Sequence, residues 1–154
     1  MPFIVIALLL AAAIGGGTSL AAQRALPGDA LWGFKVGVNE NIEAALATEG
    51  KAQADFDIGA IQARLDEASK LAASGQLDAN AQADVEINFD AHAKSVAEQI
   101  AKLQERGDYA TAADVAARFQ AVLGKQTSSG LDVRTALDAA NILSAEASAK
   151  ATTK

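Results

Sequence analysis

The stretch Asp78-Ala79-Asn80-Ala81-Gln82-Ala83-Asp84-Val85-Glu86-Ile87-Asn88-Phe89-Asp90-Ala91-His92, running on to Glu105-Arg106-Gly107-Asp108, decides how this chain folds. Asp78 is a residue type whose side chain accepts from the open amides of a first helical turn. Behind it Val85, Phe89, His92, Val96, Ile100 and Leu103 recur at spacings of three and four, one stripe of a 3.6-residue helix. Gly107 can take the left-handed conformation that ends a helix, and Asp108 supplies a second cap at once. The pattern predicts a long helix over about Ala79 to Glu105. Another follows over about Tyr109 to Leu123, with Ala112, Val115, Phe119 and Val122 facing inward.

The same punctuation recurs upstream. Thr48 caps a helix predicted over about Glu49 to Ser74, in which Ala54, Ile58, Ile61, Leu65, Ala68 and Ala72 form a narrow coiled-coil-like seam. Gly75 ends it, and Leu77 is expected to pack back on its last turn. Connections this short make the three helices antiparallel neighbours. Before them, Leu26-Pro27-Gly28-Asp29 reads as a turn whose Asp caps a helix from about Ala30 to Ala47, with Leu31, Phe34, Val38, Ile42 and Ala45 on one face. Downstream, Gly124 to Gly130 is small and polar, a linker. Leu131 to about Ala149 is a weaker helix offering Leu131, Ala136, Leu137, Ala140 and Leu143.

Composition agrees with an all-α fold. Alanine dominates the apolar residues, and the only prolines are Pro2 and Pro27. Aromatic residues are 5% of the chain, so the core must be aliphatic. A net charge of −6 with dispersed lysines and arginines lacks the basic footprint of a nucleic-acid binder. With no cysteine, disulfides and thiolate chemistry are excluded.

Residues 1 to 23 carry no charged side chain; the first is Arg24. Phe3 to Ile14 is continuously apolar, followed by Gly15-Gly16-Gly17-Thr18-Ser19. Two readings fit. One is a signal peptide, with Ser19-Leu20-Ala21 as a small-residue cleavage site, although the usual positive flank is missing. The other is a membrane helix, since Phe3 to Ala22 reaches the length of one span. A buried core helix is the plainer alternative. A pilin-like filament helix is a further one, supported by Ala7, Ala11 and Gly15 at four-residue spacing. The glutamate that pilins carry at the fifth mature position is absent, being Ala7 or Val5 here. The expected organisation is an apolar helix (1–23), a helical bundle (24–123), then a linker and weak C-terminal helix (124–154).

The segment Ala25-Leu26-Pro27-Gly28-Asp29, with Leu31-Trp32, Lys35-Val36 and Val38-Asn39-Glu40, resembles a bacterial family, the domain of unknown function numbered 5667. Further matching features are Arg64-Leu65-Asp66-Glu67-Ala68, Lys70-Leu71, Gly75, Phe89-Asp90-Ala91-His92-Ala93 and Gly107-Asp108. The likeness covers about Ala22 to Leu123. Trp32 stands where the family usually has Tyr, and Gly33 where Pro is common. The resemblance implies an extracytoplasmic helical domain and no particular reaction. Its motif residues Leu26, Pro27, Gly28, Asp29, Trp32, Lys35, Asn39 and Glu40 are candidates for a structural network or a docking face.

No catalytic, metal or cofactor constellation stands out. His92, the single histidine, reads as a packed residue bonded to a neighbouring helix, or as a pH switch. Asp78-Ala79-Asn80-Ala81-Gln82 fails as a calcium loop, because Ala83 and Phe89 occupy the positions that need Gly and Glu. Asp84, Glu86, Asp90, Glu40, Glu43 and Glu49 read as a solvated acidic face. The expected role is that of a non-enzymatic, exported protein of the bacterial envelope. It would be held at the membrane by residues 1–23 and would engage a protein partner or itself. A filament subunit and a periplasmic chaperone-like or sensor domain are the alternatives.

Overall fold

A computed structural model of the protein describes residues 22–47, 50–125 and 130–152. The expectations for residues 1–21, and the cap at Thr48, lie outside the described residues. The helix order is α1 (Trp32–Phe34), a π-helical turn (Lys35–Asn39), α2 (Glu40–Leu46), α3 (Lys51–Ala73), α4 (Ala79–Glu105), α5 (Tyr109–Gly124) and α6 (Arg134–Thr152). No strand occurs among the described residues. The fold is all-α, with several long helices packed together. Among the described residues, no helix is long and apolar enough to cross a membrane. The chain divides into two compact units, Met1–Ile42 and Glu43–Lys154.

In the first unit, Pro27 and Gly28 occupy the corner of a turn closed by Asp29 N–H donating to the Leu26 carbonyl at 2.9 Å. Gly28 has φ +95°, the conformation a type II turn requires after Pro. The Asp29 carboxylate faces backwards and accepts from Leu26 N–H at 2.8 Å. This corrects the expected forward cap: α1 begins after Leu31, without a side-chain cap. The single helix expected over Ala30–Ala47 is instead α1, the π-turn and α2, with Gly37 inside the wider turn.

In the second unit the end signals work as their chemistry demands. Asp78 Oδ1 accepts from Ala81 N–H at 2.8 Å, and Asp108 Oδ1 from Thr111 N–H at 3.2 Å. Gly75 (φ +69°) and Gly107 (φ +78°) close α3 and α4 with paired reverse bonds. Gly75 N–H donates to Ala72 O and Gln76 N–H to Leu71 O; Gly107 N–H donates to Gln104 O and Asp108 N–H to Leu103 O. The start of α3 differs from expectation. Gly50, at φ +82°, stands before its first residue, and its buried N–H donates to the Gln99 side chain of α4 at 3.2 Å.

The core of this unit is aliphatic with two phenylalanines. Ala54, Ile58, Ile61 and Leu65 of α3 meet Phe89, Val96, Ile100 and Leu103 of α4. Ala112, Val115, Ala116, Phe119 and Leu123 of α5 join them, as do Ala140 and Ala147 of α6. The α6 helix starts at Arg134 rather than Leu131, because the Asp132 carboxylate accepts from Arg134 N–H at 3.1 Å and turns the chain there. Leu131 and Val133 still pack against the core from the approach to the helix. Bonds from Gly50 to Gln99 and from Asp57 to His92 set α3 and α4 antiparallel.

Candidate functional site

Three places gather polar side chains. The first is the motif turn. Pro27 and Trp32 are buried there, Leu26, Lys35 and Glu40 are half-buried, and Gly28 and Asp29 are exposed. The Asn39 backbone belongs to the π-turn, and its side chain lies outside the described residues. The motif thus builds a closed corner with Trp32 tucked beneath the surface. Its acid, Asp29, spends one oxygen on its own turn.

The second place lies between α3 and α4. Asp57 is 2% exposed, a costly place for a carboxylate unless its lone pairs are filled. They are filled from two helices. His92 Nδ1 sits 2.8 Å from Oδ1, Ser95 Oγ–H donates to Oδ2 at 2.5 Å, and Gln53 Nε2 donates to Oδ2 at 3.2 Å. Phe56 meets the imidazole edge to face, with centroids 5.8 Å apart. His92 and Ser95 lie three residues apart and so share one face of α4. The trio contains the residue types of a hydrolytic triad in a different order of contact. Ser95 bonds the carboxylate, and a nucleophilic serine would have to bond the imidazole. The arrangement ties two helices together. His92 is therefore packed and bonded to its neighbouring helix through Asp57. The sequence pattern left Asp57 unremarked because it falls beside the Ile58 seam. The available signal was its place one residue from that stripe with His and Ser on the next helix.

A buried Arg–Glu pair lies on α3. Arg64 is fully buried and Glu67 is 3% exposed. Arg64 Nη2 donates to Glu67 Oε1 at 3.0 Å, and Nε lies 2.9 Å from Oε2. These are residues of the Arg-Leu-Asp-Glu-Ala segment.

The third place is a cleft among α4, α5 and α6, with a volume of about 550 Å³. Phe89, Ala93 and Ala97 of α4, Phe119 of α5 and Ala136 and Ala139 of α6 make its apolar walls. Glu86, Asp90, Lys94 and Asp132 stand around it. Of the acids expected on a solvated face, Asp84, Asp90 and Glu43 are exposed, Glu40 and Glu86 are half-buried, and Glu49 lies outside the described residues; Glu86 and Asp90 also border the apolar hollow. Sequence periodicity could not show this cleft, because it arises from alanines of two helices facing each other.

Surface charge also links helices. Arg118 of α5 bridges Asp114 on its own helix, at 3.1 Å, and Asp55 of α3. Partial burial raises the Asp55 carboxyl, but hydrogen bonds and charge from Lys51 and Arg118 outweigh it and hold it below its ordinary value of 3.8. Among the described residues no group of His, Asp and Glu is arranged to hold a metal ion.

No family model, curated protein or solved structure matches the chain.

Proposed function

We propose that the protein is a non-enzymatic, exported binding protein of the bacterial envelope, attached to the membrane by residues 1–23. The observation that carries the binding role is the cleft among α4, α5 and α6. It is a hollow of ligand size with an apolar wall and few polar groups. The charge-free run before Arg24 supports the location. The closed bonding of Asp57, His92 and Ser95 supports a structural role for the residues that most resemble catalytic ones.

Alkaline extraction of membranes, with protease treatment of intact spheroplasts, tests the location. The full-length chain is expected in the membrane fraction and sensitive to external protease. Full-length protein recovered from the cytosol, protected from protease, overturns the proposal. The cleft also favours a second reading, a ligand-sensing domain, in which binding alters association with a protein partner.

A further inference from the structure

We propose that the cleft among α4, α5 and α6 takes a small organic cation with an apolar body, an amine or quaternary ammonium carrying an aromatic or aliphatic group. This deepens the binding role and rests on reading the cleft as its seat, independently of residues 1–23. Shape and charge both lead there. Ala93 and Ala97 on α4 face Ala136 and Ala139 on α6, so short side chains stand where leucines would fill the space. Phe89 and Phe119, each almost fully buried, close the floor. The result is about 550 Å³, within the range that encloses a small ligand.

The border is unbalanced in charge. Three carboxylates, Glu86, Asp90 and Asp132, stand against one ammonium, Lys94. Glu86 and Asp90 are one helical turn apart and point to the same side of α4. Glu86 accepts from the Gln82 amide at 2.8 Å, and Asp132 from Arg134 N–H at 3.1 Å. These neutral donors leave both negative charges uncompensated. Lys94, on the border between Ala93 and Ala97, is 80% exposed and lies 4.0 Å from Glu98. A cation whose apolar body lodged against the aromatic floor would set its charge toward the half-buried Glu86 and the exposed Asp90 and Asp132, three like charges acting together at the rim. An anion of the same shape would meet three like charges.

The test uses the full chain in zwitterionic lipid nanodiscs, with empty nanodiscs subtracting partition into lipid. The probes are 1-naphthylmethylammonium and 1-naphthylacetate, which share a ring system and differ in charge. Naphthalene fluorescence reads their binding. The cation is expected to bind at least about tenfold more tightly than the anion, with a preference that shrinks as salt rises. The double variant Glu86→Gln, Asp90→Asn lies on the surface and is expected to fold. It should weaken the cation about tenfold and leave the anion unchanged or improved. Ala97→Phe should remove binding of both probes; circular dichroism checks that it folds, and the charge variant stands if it does not. Equal binding of the two probes overturns the cation assignment and leaves the binding role. Binding of neither probe overturns both.

Discussion

A buried charge is tolerable only when its partners replace the water it has lost. Arg64 and Glu67 meet that demand one turn apart on α3, as do Asp57, His92 and Ser95 across α3 and α4. Taking a hydrogen-bond partner from a buried charge costs about 1–3 kcal/mol. Glu67→Ala is expected to lower the urea-unfolding free energy by about 1–3 kcal/mol, because it takes two contacts from a fully buried guanidinium. Asp55 is a different case, since it is well exposed and its bridges are screened. Its depressed pKa means that its stabilisation is fully present above pH 3.8 and is lost as the pH falls through the folded value. Asp55→Asn should thus destabilise at pH 7 by a few tenths of a kcal/mol and make almost no difference at pH 2. Urea midpoints at the two pH values give the comparison. Sequence periodicity assigns Asp57 and Arg64 to the outside of a narrow seam. Their burial depends on what other segments bring to that side, which spacing along one helix does not contain.

Helix ends divide into those written locally and those set at a distance. The close of α3 and both ends of α4 were legible, because Asp78, Gly75 and Gly107 act on amides and carbonyls within a few residues. The start of α3 was not. It depends on Gly50 in a left-handed conformation and on Gln99, forty-nine residues away, receiving its N–H. The break of the first helix into α1, a π-turn and α2 was equally hidden, since its apolar spacing fits an unbroken helix. Two glycines of α3 make the local rule measurable. Gly59 lies within the helix, and a Cβ there would meet nothing within 4 Å. Gly59→Ala should stabilise by about 0.5–1 kcal/mol. Gly75 has equally open space, yet its φ of +69° penalises any side chain. Gly75→Ala should destabilise by about 1–2 kcal/mol. Thermal melts of the two variants should therefore move in opposite directions, and a shared direction would contradict the backbone assignment.

The second unit depends on its last helix more than the sequence suggests. More than half of the apolar residues from Leu131 to Ala149 are alanine, and a polar linker precedes the stretch. Taken alone it would be marginal in water, because most helical stability comes from packing an apolar face against other elements. In the fold, Ala140 and Ala147 are completely buried, and Leu131, Val133, Leu137 and Leu143 pack against the core. Small side chains let α6 approach α5 closely, so alanine reads as weak composition and functions as close contact. Gln120 of α5 also donates to Asn141 of α6, at 2.6 Å. Ending the chain after Lys125 would uncover the α6-facing sides of Phe119 and Phe89 together. Four partly buried aliphatic residues at about 1 kcal/mol or more each, with two alanines besides, amount to about 5 kcal/mol. That is comparable with the whole stability of an ordinary domain. The truncated chain should keep much of its helical circular dichroism, bind a hydrophobic dye and lose its sharp urea transition, the signature of helices without fixed packing. A truncated protein that unfolds cooperatively at the full-length midpoint would show that α6 is an appendage. The cleft would then lose its third wall without cost to the fold, and the cation-binding test could be run on the truncated chain to measure what α6 adds to the site.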